Sequence, residues 1–294
     1  MSSGSHAEVK SIAVCGAGIM GRGIAYAAAA GGFRTILQDI SQDALTRAES
    51  EIRSNMDRAL ELGKLTPAKA DSAREHLSFS TSLADAAREA DLVIEAVPED
   101  MKLKIEMFSQ LDKLSRLDTI LASNTSSLSI TEIASVTSRP QKCVGMHFFN
   151  PVHKMKLLEI VRALETDDET ISIAVEVGKR MGKETVVIKE SPGFVTSRIN
   201  AMIGNEAFYM LQEGIASAAD IDKALKLGLN HPMGPFELVD LVGLDTRLSI
   251  LEYLHKSLGD KYRPCPLLAQ YVKAGRLGRK AGRGVYDYPS EKKA

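Results

Sequence analysis

SIAVCGAGIMG (Ser11–Gly21) is the stretch on which the fold turns. Ser11–Cys15 is a short apolar run with β-branched members, the pattern of a strand buried in a parallel sheet. Gly16-Ala17-Gly18-Ile19-Met20-Gly21 follows at once, and Arg22–Ala30 is alanine-rich, helix-favouring and closed by Gly31 and Gly32. Thr35–Gln38 reads as the next strand and ends at Asp39, 18 positions beyond Gly21. Gly16 permits the tight turn, Gly18 lets the backbone approach a pyrophosphate at the positive end of the helix, and Gly21 lets helix and strand pack closely. Asp39, at the carboxyl end of the second strand, is placed to accept hydrogen bonds from an adenine ribose. GxGxxG alone is a weak signal. Strand, glycine turn, helix, strand and acid in that order predict dinucleotide binding. Ile40 and Ser41 follow Asp39 where a 2′-phosphate would want an arginine, and a carboxylate repels that phosphate, so NAD is expected over NADP.

The rest of the composition sets limits on this reading. A chain of 294 residues suits one large domain or two. With 37 basic against 38 acidic residues and 44% hydrophobic content, it has neither the signature of disorder nor a charge coat selected for nucleic acid. The longest run without a charge, Thr119–Thr131, is thirteen mostly polar residues, so no membrane span is expected. Residues 1–7 read as a leader outside the fold, without the apolar core of a signal peptide, and a cytoplasmic protein is expected. Cys15, Cys143 and Cys265 are odd in number and widely spaced, which predicts free thiols in a reducing compartment. Cys143 and His147 are four apart on a strand-like run, too far for one ion, so no metal is expected.

The crossover after Asp39 is long. Asp43–Leu62 carries a helical apolar stripe, Gly63 ends it, and Thr66-Pro67 opens a second helix running to Leu77. This hairpin, 43–77, either covers the sheet or stands over the site and touches substrate. Strands are expected at Phe79–Ser82, Leu92–Val97, Thr119–Ala122, Cys143–Phe148, Met155–Val161 and Val186–Lys189. Ser191-Pro192-Gly193 then breaks the chain, and the pattern turns helical, with helices at Phe194–Gln212, Ser217–Leu227, from Asp245 to Leu258, and at Pro266–Ala274. The fold class is α/β: a Rossmann-type, mostly parallel sheet with a helical hairpin insertion over residues 1–190, then an all-α C-terminal domain over 191–294. The closing basic segment (Lys273, Arg276, Arg279, Lys280, Arg283 among glycines) reads as a flexible tail or as a phosphate contact.

Two polar groupings stand at strand ends, where ligands of such sheets bind. Ser123-Asn124-Thr125-Ser126-Ser127 is either a turn and helix cap or a contact surface. A lone His147 is usually a satisfied core residue, and Glu159 between Leu158 and Ile160 usually points to solvent. Bonded together they would be different: the carboxylate would fix the imidazole tautomer and leave the other nitrogen as a proton acceptor.

These residues resemble the 3-hydroxyacyl-CoA dehydrogenase family, and within it the monofunctional bacterial 3-hydroxybutyryl-CoA dehydrogenases. The resemblance runs from about Lys10 to Tyr288 and rests on GAGIMG at 16–21, EAVPED at 95–100, SNTSSL at 123–128, GMHFFNPVHKMKLLEI at 145–160, SPGFVTSR at 191–198, HPMGPFELVDLVGLD at 231–245 and LGRKAGRGVYDY at 277–288. It implies NAD-dependent oxidation of (S)-3-hydroxyacyl-CoA, of short chain, and the reverse reduction of acetoacetyl-CoA. It implies His147 as catalytic base, Glu159 as its orienting carboxylate and Ser126 as the hydroxyl on the substrate's 3-oxygen. Cofactor contacts fall on Gly16, Ala17, Gly18, Ile19, Met20, Gly21, Asp39, Glu99, Lys104, Asn150 and Lys280. Lys104, Ser126 and Asn150 fall where the family contacts acyl-CoA. Ser197 stands where many members carry asparagine. Short amphipathic helices over 191–294 give only a thin core, so a homodimer through the C-terminal domain is expected. A lysine-based 6-phosphogluconate or glycerol-3-phosphate dehydrogenase finds no motif here, and a non-catalytic NADH-binding protein would not need His147, Glu159, Ser126 and Asn150 together.

Overall fold

The computed structural model describes residues 8–288, so the leader expected at residues 1–7 lies outside the described residues. The chain divides between Ser191 and Pro192 into two compact units.

The first unit opens with β1 (Ser11–Cys15), α1 (Ile19–Ala30) and β2 (Arg34–Gln38). The glycines of the turn are required by space: Gly16 holds φ 107°, and a Cβ on Gly21 would stand 1.7 Å from the Gly16 carbonyl oxygen. The hairpin follows as α2 (Gln42–Glu61) and α3 (Pro67–Glu75), capped by the hydroxyls of Ser41 and Thr66. Leu45, Ala48, Ile52 and Met56 of α2 are buried in the same core as Ile24 and Leu37, so the inner face of the hairpin covers the sheet.

The chain continues through β3 (Leu77–Ser80), α4 (Leu83–Arg88), β4 (Leu92–Glu95), α5 (Met101–Leu114), β5 (Ile120–Ser123) and α6 (Ile130–Ala134). It closes with β6 (Cys143–Phe148), β7 (Leu157–Arg162), α7 (Asp168–Arg180) and β8 (Glu184–Lys189). The strands order as β3-β2-β1-β4-β5-β6-β7-β8, and neighbours run parallel except β6 and β7. Helices pack on both faces, with Ile52 and Val177 in one core and Ala87, Phe108 and Ile133 in the other. The order reverses at β1, the switch point where such sheets bind ligands.

Several strand ends differ from expectation for local reasons. β3 starts two residues early because Leu77 pairs with Thr35 directly after the helix. β4 stops at Glu95 because the Val97 amide donates to the Glu95 carboxylate instead of to a ladder. β7 starts at Leu157 because the amides of Lys154 and Met155 close a turn on the Pro151 carbonyl.

All three cysteines are free and buried, and burial pushes Cys15 up to about 12 and Cys143 up to about 11. Among the described residues no group of three or more His, Cys, Asp or Glu could hold a metal ion, and no helix is long and apolar enough to cross a membrane.

The second unit is helical: α8 (Thr196–Gln212), α9 (Ala218–Gly228), α10 (Pro235–Val242), α11 (Leu244–Leu258) and α12 (Pro266–Lys273). α8 begins after Phe194 because Gly193 and Phe194 take φ of 73° and 51°, outside a right-handed helix. Phe208 stacks edge-on against Phe236 and Tyr271 at the centre of this unit, with ring centroids 5.2 and 5.8 Å away. The basic end is not a flexible tail. Buried Asp240 accepts the amides of Val285 and Tyr286 at 2.8 and 2.9 Å and the Tyr288 hydroxyl at 2.9 Å, and Asp222 accepts the Tyr286 hydroxyl at 2.8 Å. The segment is a strap tied down by two acids upstream, and Gly284 is needed because its Cβ would stand 2.0 Å from Asp240 Oδ1.

Candidate active site

The antiparallel step between β6 and β7 builds the centre of the site. Its register places His147 directly across from Glu159. Cross-strand neighbours on one face lie close enough to touch. The Glu159 Oε2 atom is 2.7 Å from His147 Nδ1, with both side chains buried. Phe149 leans on the imidazole, centroids 4.4 Å apart. A buried carboxylate on Nδ1 favours the tautomer with the proton there, which puts the lone pair on Nε2.

The glycine turn and Asp39 lie at the carboxyl ends of β1 and β2. Asp39 accepts from the Ala17 amide at 2.8 Å and from the Ser41 amide at 2.9 Å, tying the turn to the second strand. The geometry fits a dinucleotide. Nothing lies within 4 Å of where a Gly18 Cβ would be, and no side chain caps the N-terminus of α1, so its first amides face an open approach. Gly18 and Ile19 are exposed there, and Met20 is partly so.

A second polar cluster forms at the ends of β4 and β5. Glu99 Oε1 accepts from the Thr125 hydroxyl at 2.6 Å, the Ser126 amide at 2.8 Å and the Ser126 hydroxyl at 3.2 Å. The polar run after β5 therefore does more than cap a helix: Thr125, Ser126 and Glu99 form one hydrogen-bonded cluster. Lys104 stands in a setting that the reading as a ligand contact did not anticipate. Its side chain is 1% exposed and its ammonium lies 2.7 Å from Glu95 Oε1 and 3.3 Å from Glu99 Oε2. Desolvation raises the Glu95 carboxyl above the usual range, against the pull of Lys104, Ser123 and the Val97 amide.

Asn150 is exposed just beyond β6, at the start of the turn to β7. Ser197 and Lys280 belong to the second unit. Ser197 lies in the first turn of α8, half-buried, and the Lys280 ammonium sits 2.6 and 2.7 Å from the two Asp245 carboxylate oxygens. Three residues of the first unit were given no individual role in the sequence: Glu95, Ser123, and Asn124, whose Oδ1 accepts the Phe148 amide at 3.0 Å and so braces the strand end that carries His147. Their one signal was position, each lying at or next to a strand's carboxyl end.

Comparison with known proteins agrees with this geometry. Residues 11–191 match the family described as 3-hydroxyacyl-CoA dehydrogenase, NAD binding domain, and residues 193–288 match 3-hydroxyacyl-CoA dehydrogenase, C-terminal domain. A 3-hydroxybutyryl-CoA dehydrogenase of Bradyrhizobium diazoefficiens is 44% identical over 287 residues, covering 97% of this chain and 98% of that protein. Human mitochondrial hydroxyacyl-coenzyme A dehydrogenase is 39% identical over 287 residues, covering 95% and 91%. The crystal structure of (S)-3-hydroxybutyryl-CoA dehydrogenase from Ralstonia eutropha superimposes with a TM-score of 0.93 at 45% identity, covering 96% of this chain and 100% of that one. With two family domains matched end to end and the His–Glu pair, glycine turn and acidic strand end all in place, the chain belongs to the 3-hydroxyacyl-CoA dehydrogenase family.

Proposed function

We propose that this protein oxidises (S)-3-hydroxyacyl-CoA, with 3-hydroxybutyryl-CoA as the short-chain substrate, to the 3-ketoacyl-CoA, and catalyses the reverse reduction of acetoacetyl-CoA. The observation that carries this reading is the 2.7 Å contact between His147 Nδ1 and Glu159 Oε2, buried at a strand's carboxyl end. When bound, the nicotinamide supplies the hydride acceptor in oxidation and the hydride donor in reduction. In oxidation, neutral His147 takes the 3-hydroxyl proton at Nε2, and Glu159 stabilises the imidazolium that results. In reduction the same imidazolium returns the proton to the 3-oxygen. Ser126 contacts that oxygen through its hydroxyl and holds it at a fixed distance from His147.

The cofactor is assigned to the turn Gly16, Ala17, Gly18, Ile19, Met20 and Gly21, with Asp39 on the ribose and Glu99 and Asn150 beyond it. From the second unit we assign Lys280 to the cofactor and Ser197 to the substrate, on the family pattern alone. The Ser197 hydroxyl is shorter than the amide it replaces and acts directly or through a bridging water. Acyl-CoA is the partner; nucleic acid and membrane are not. We place the enzyme in the cytoplasm, in keeping with its three buried free thiols. The test is NADH consumption with a chain-length series of 3-ketoacyl-CoA thioesters. Turnover is expected, highest for acetoacetyl-CoA, and no turnover with any member would overturn the reading.

A homodimer through the second unit completes the proposal. Ile215, Leu227 and Leu229 are 64, 77 and 65% exposed, a surplus of apolar surface for a helical unit of this size. Sedimentation at micromolar concentration is expected to return twice the 31.9 kDa chain mass. A single-chain mass would refute the dimer.

A further inference from the structure

The strap that carries Lys280 hangs on one acid. Asp240 lies on α10 and is 1% exposed. Its carboxylate is filled by neutral donors of the strap. Oδ1 accepts the Val285 amide at 2.8 Å, and Oδ2 accepts the Tyr286 amide and the Tyr288 hydroxyl at 2.9 Å each. Asp222 adds a tie through the Tyr286 hydroxyl, but it also accepts the Phe236 and Glu237 amides and so serves the start of α10.

The strap is shaped to fit Asp240 on both sides of Lys280. A Cβ on Gly278 would stand 2.3 Å from the Asp240 carbonyl oxygen, and one on Gly284 2.0 Å from its Oδ1. Between these glycines the chain makes a tight loop. The Gly278 amide donates to the Arg283 carbonyl at 2.9 Å, and the Ala281 amide donates to the Gly278 carbonyl at 3.0 Å. Lys280 stands in the middle of that loop, with its ammonium 2.6 and 2.7 Å from the two oxygens of Asp245 in the first turn of α11. An ammonium has three donors, so one remains for a ligand. The base of the loop is thus fixed to α10 and its tip to α11.

We propose that Asp240 is a positioning residue for the cofactor contact of Lys280: it anchors the base of the loop 278–283 and so presents the free donor of Lys280 to the dinucleotide. This rests on the assignment of Lys280 to the cofactor. Asparagine at position 240 keeps the size of the side chain and one good acceptor. Its amide nitrogen would face a strap amide, donor against donor, and the strap would let go on that side. A second consequence concerns the wild type. If release of the strap weakens NADH binding, bound NADH must oppose that release by the same factor.

The experiment compares the wild type with Asp240→Asn, Lys280→Met and the double variant Asp240→Asn/Lys280→Met as intact enzyme. It reads NADH affinity by fluorescence, the melting temperature, and hydrogen exchange at the Val285 and Tyr286 amides with and without NADH. Lys280→Met is expected to weaken NADH binding about tenfold, the lower end for losing a hydrogen bond from a charged group. Asp240→Asn is expected to lose about as much, and the double variant no more than either single variant. NADH is expected to slow exchange at the two strap amides about tenfold in the wild type and not in Lys280→Met. If Asp240→Asn does not fold, Gly284→Ala loosens the same joint from the strap side and takes its place. NADH affinity in Asp240→Asn within about threefold of the wild type, whatever the melting temperature, would make the joint a structural support only. Losses that multiply in the double variant would mean that Asp240 acts other than through Lys280, as would strap protection by NADH that survives Lys280→Met. Each of these results overturns the proposal. Unchanged affinity in Lys280→Met would instead overturn the assignment of Lys280 on which it rests.

Discussion

Replacing His147 with alanine is expected to lower turnover roughly 10²- to 10⁴-fold, the range that a positioned general acid or base contributes. NADH affinity should stay nearly unchanged, because His147 is assigned to the substrate proton. Glu159→Gln should fall in the same range. A glutamine there can present its amide nitrogen to Nδ1, which favours the wrong tautomer, and it carries no charge to stabilise the imidazolium. The contact of 2.7 Å between two buried side chains makes the pair one device. The double variant His147→Ala/Glu159→Gln should therefore lose far less than the product of the single losses. Multiplicative losses would show that Glu159 does not serve His147, and a wild-type rate in either single variant would remove that residue from the chemistry.

Cofactor choice is the second large effect. Catalytic efficiency with NADH should exceed that with NADPH by about tenfold or more, since a like-charge juxtaposition costs several kcal/mol and 1.4 kcal/mol is tenfold. The cause is Asp39, whose carboxylate lies at the end of β2 against the Ala17 amide and would meet a 2′-phosphate. Exposed Ile40 beside it offers no cation. Asp39→Ser together with Ile40→Arg should narrow the gap by removing the repulsion and supplying a partner for the phosphate. Equal efficiencies in the wild type would contradict the role given to Asp39.

The nucleotide half was legible because its signals are local. A buried strand, a glycine turn, an alanine helix and an acid at a strand end are each decided by neighbours in sequence, and the bounds of β1 and β6 were read without error. The His147–Glu159 contact was only half legible. Both residues could be named, yet their meeting depends on the antiparallel register of β6 and β7, and that is set by the turn at Pro151–Lys156. α7 had a readable signature, with Asp167 as cap, Asp168 and Glu169 in its first turn and Lys179 and Arg180 in its last, and it was passed over in favour of the strands. Glu95 and Lys104 were not legible. Lys104 reads as a ligand contact and Glu95 as one residue of a strand, and only the β4–β5 register and the entry of α5 bring them together in a buried pair. The closing strap was misread for the same reason. Glycine among basic residues suggests mobility, and the acids that hold it, Asp222 and Asp240, precede Tyr286 by 64 and 46 positions.

The most direct test of the central claim, that one histidine takes the proton in oxidation and returns it in reduction, is single-turnover hydride transfer in both directions across pH. Oxidation of 3-hydroxybutyryl-CoA needs neutral His147, so its rate should rise with pH to a plateau. Reduction of acetoacetyl-CoA needs the protonated form, so its rate should fall over the same interval. The account predicts opposite pH trends for the two directions, rising for oxidation and falling for reduction, both absent from the residual activity of His147→Gln. Parallel curves, or the same titration surviving in His147→Gln, would mean that another group carries the proton.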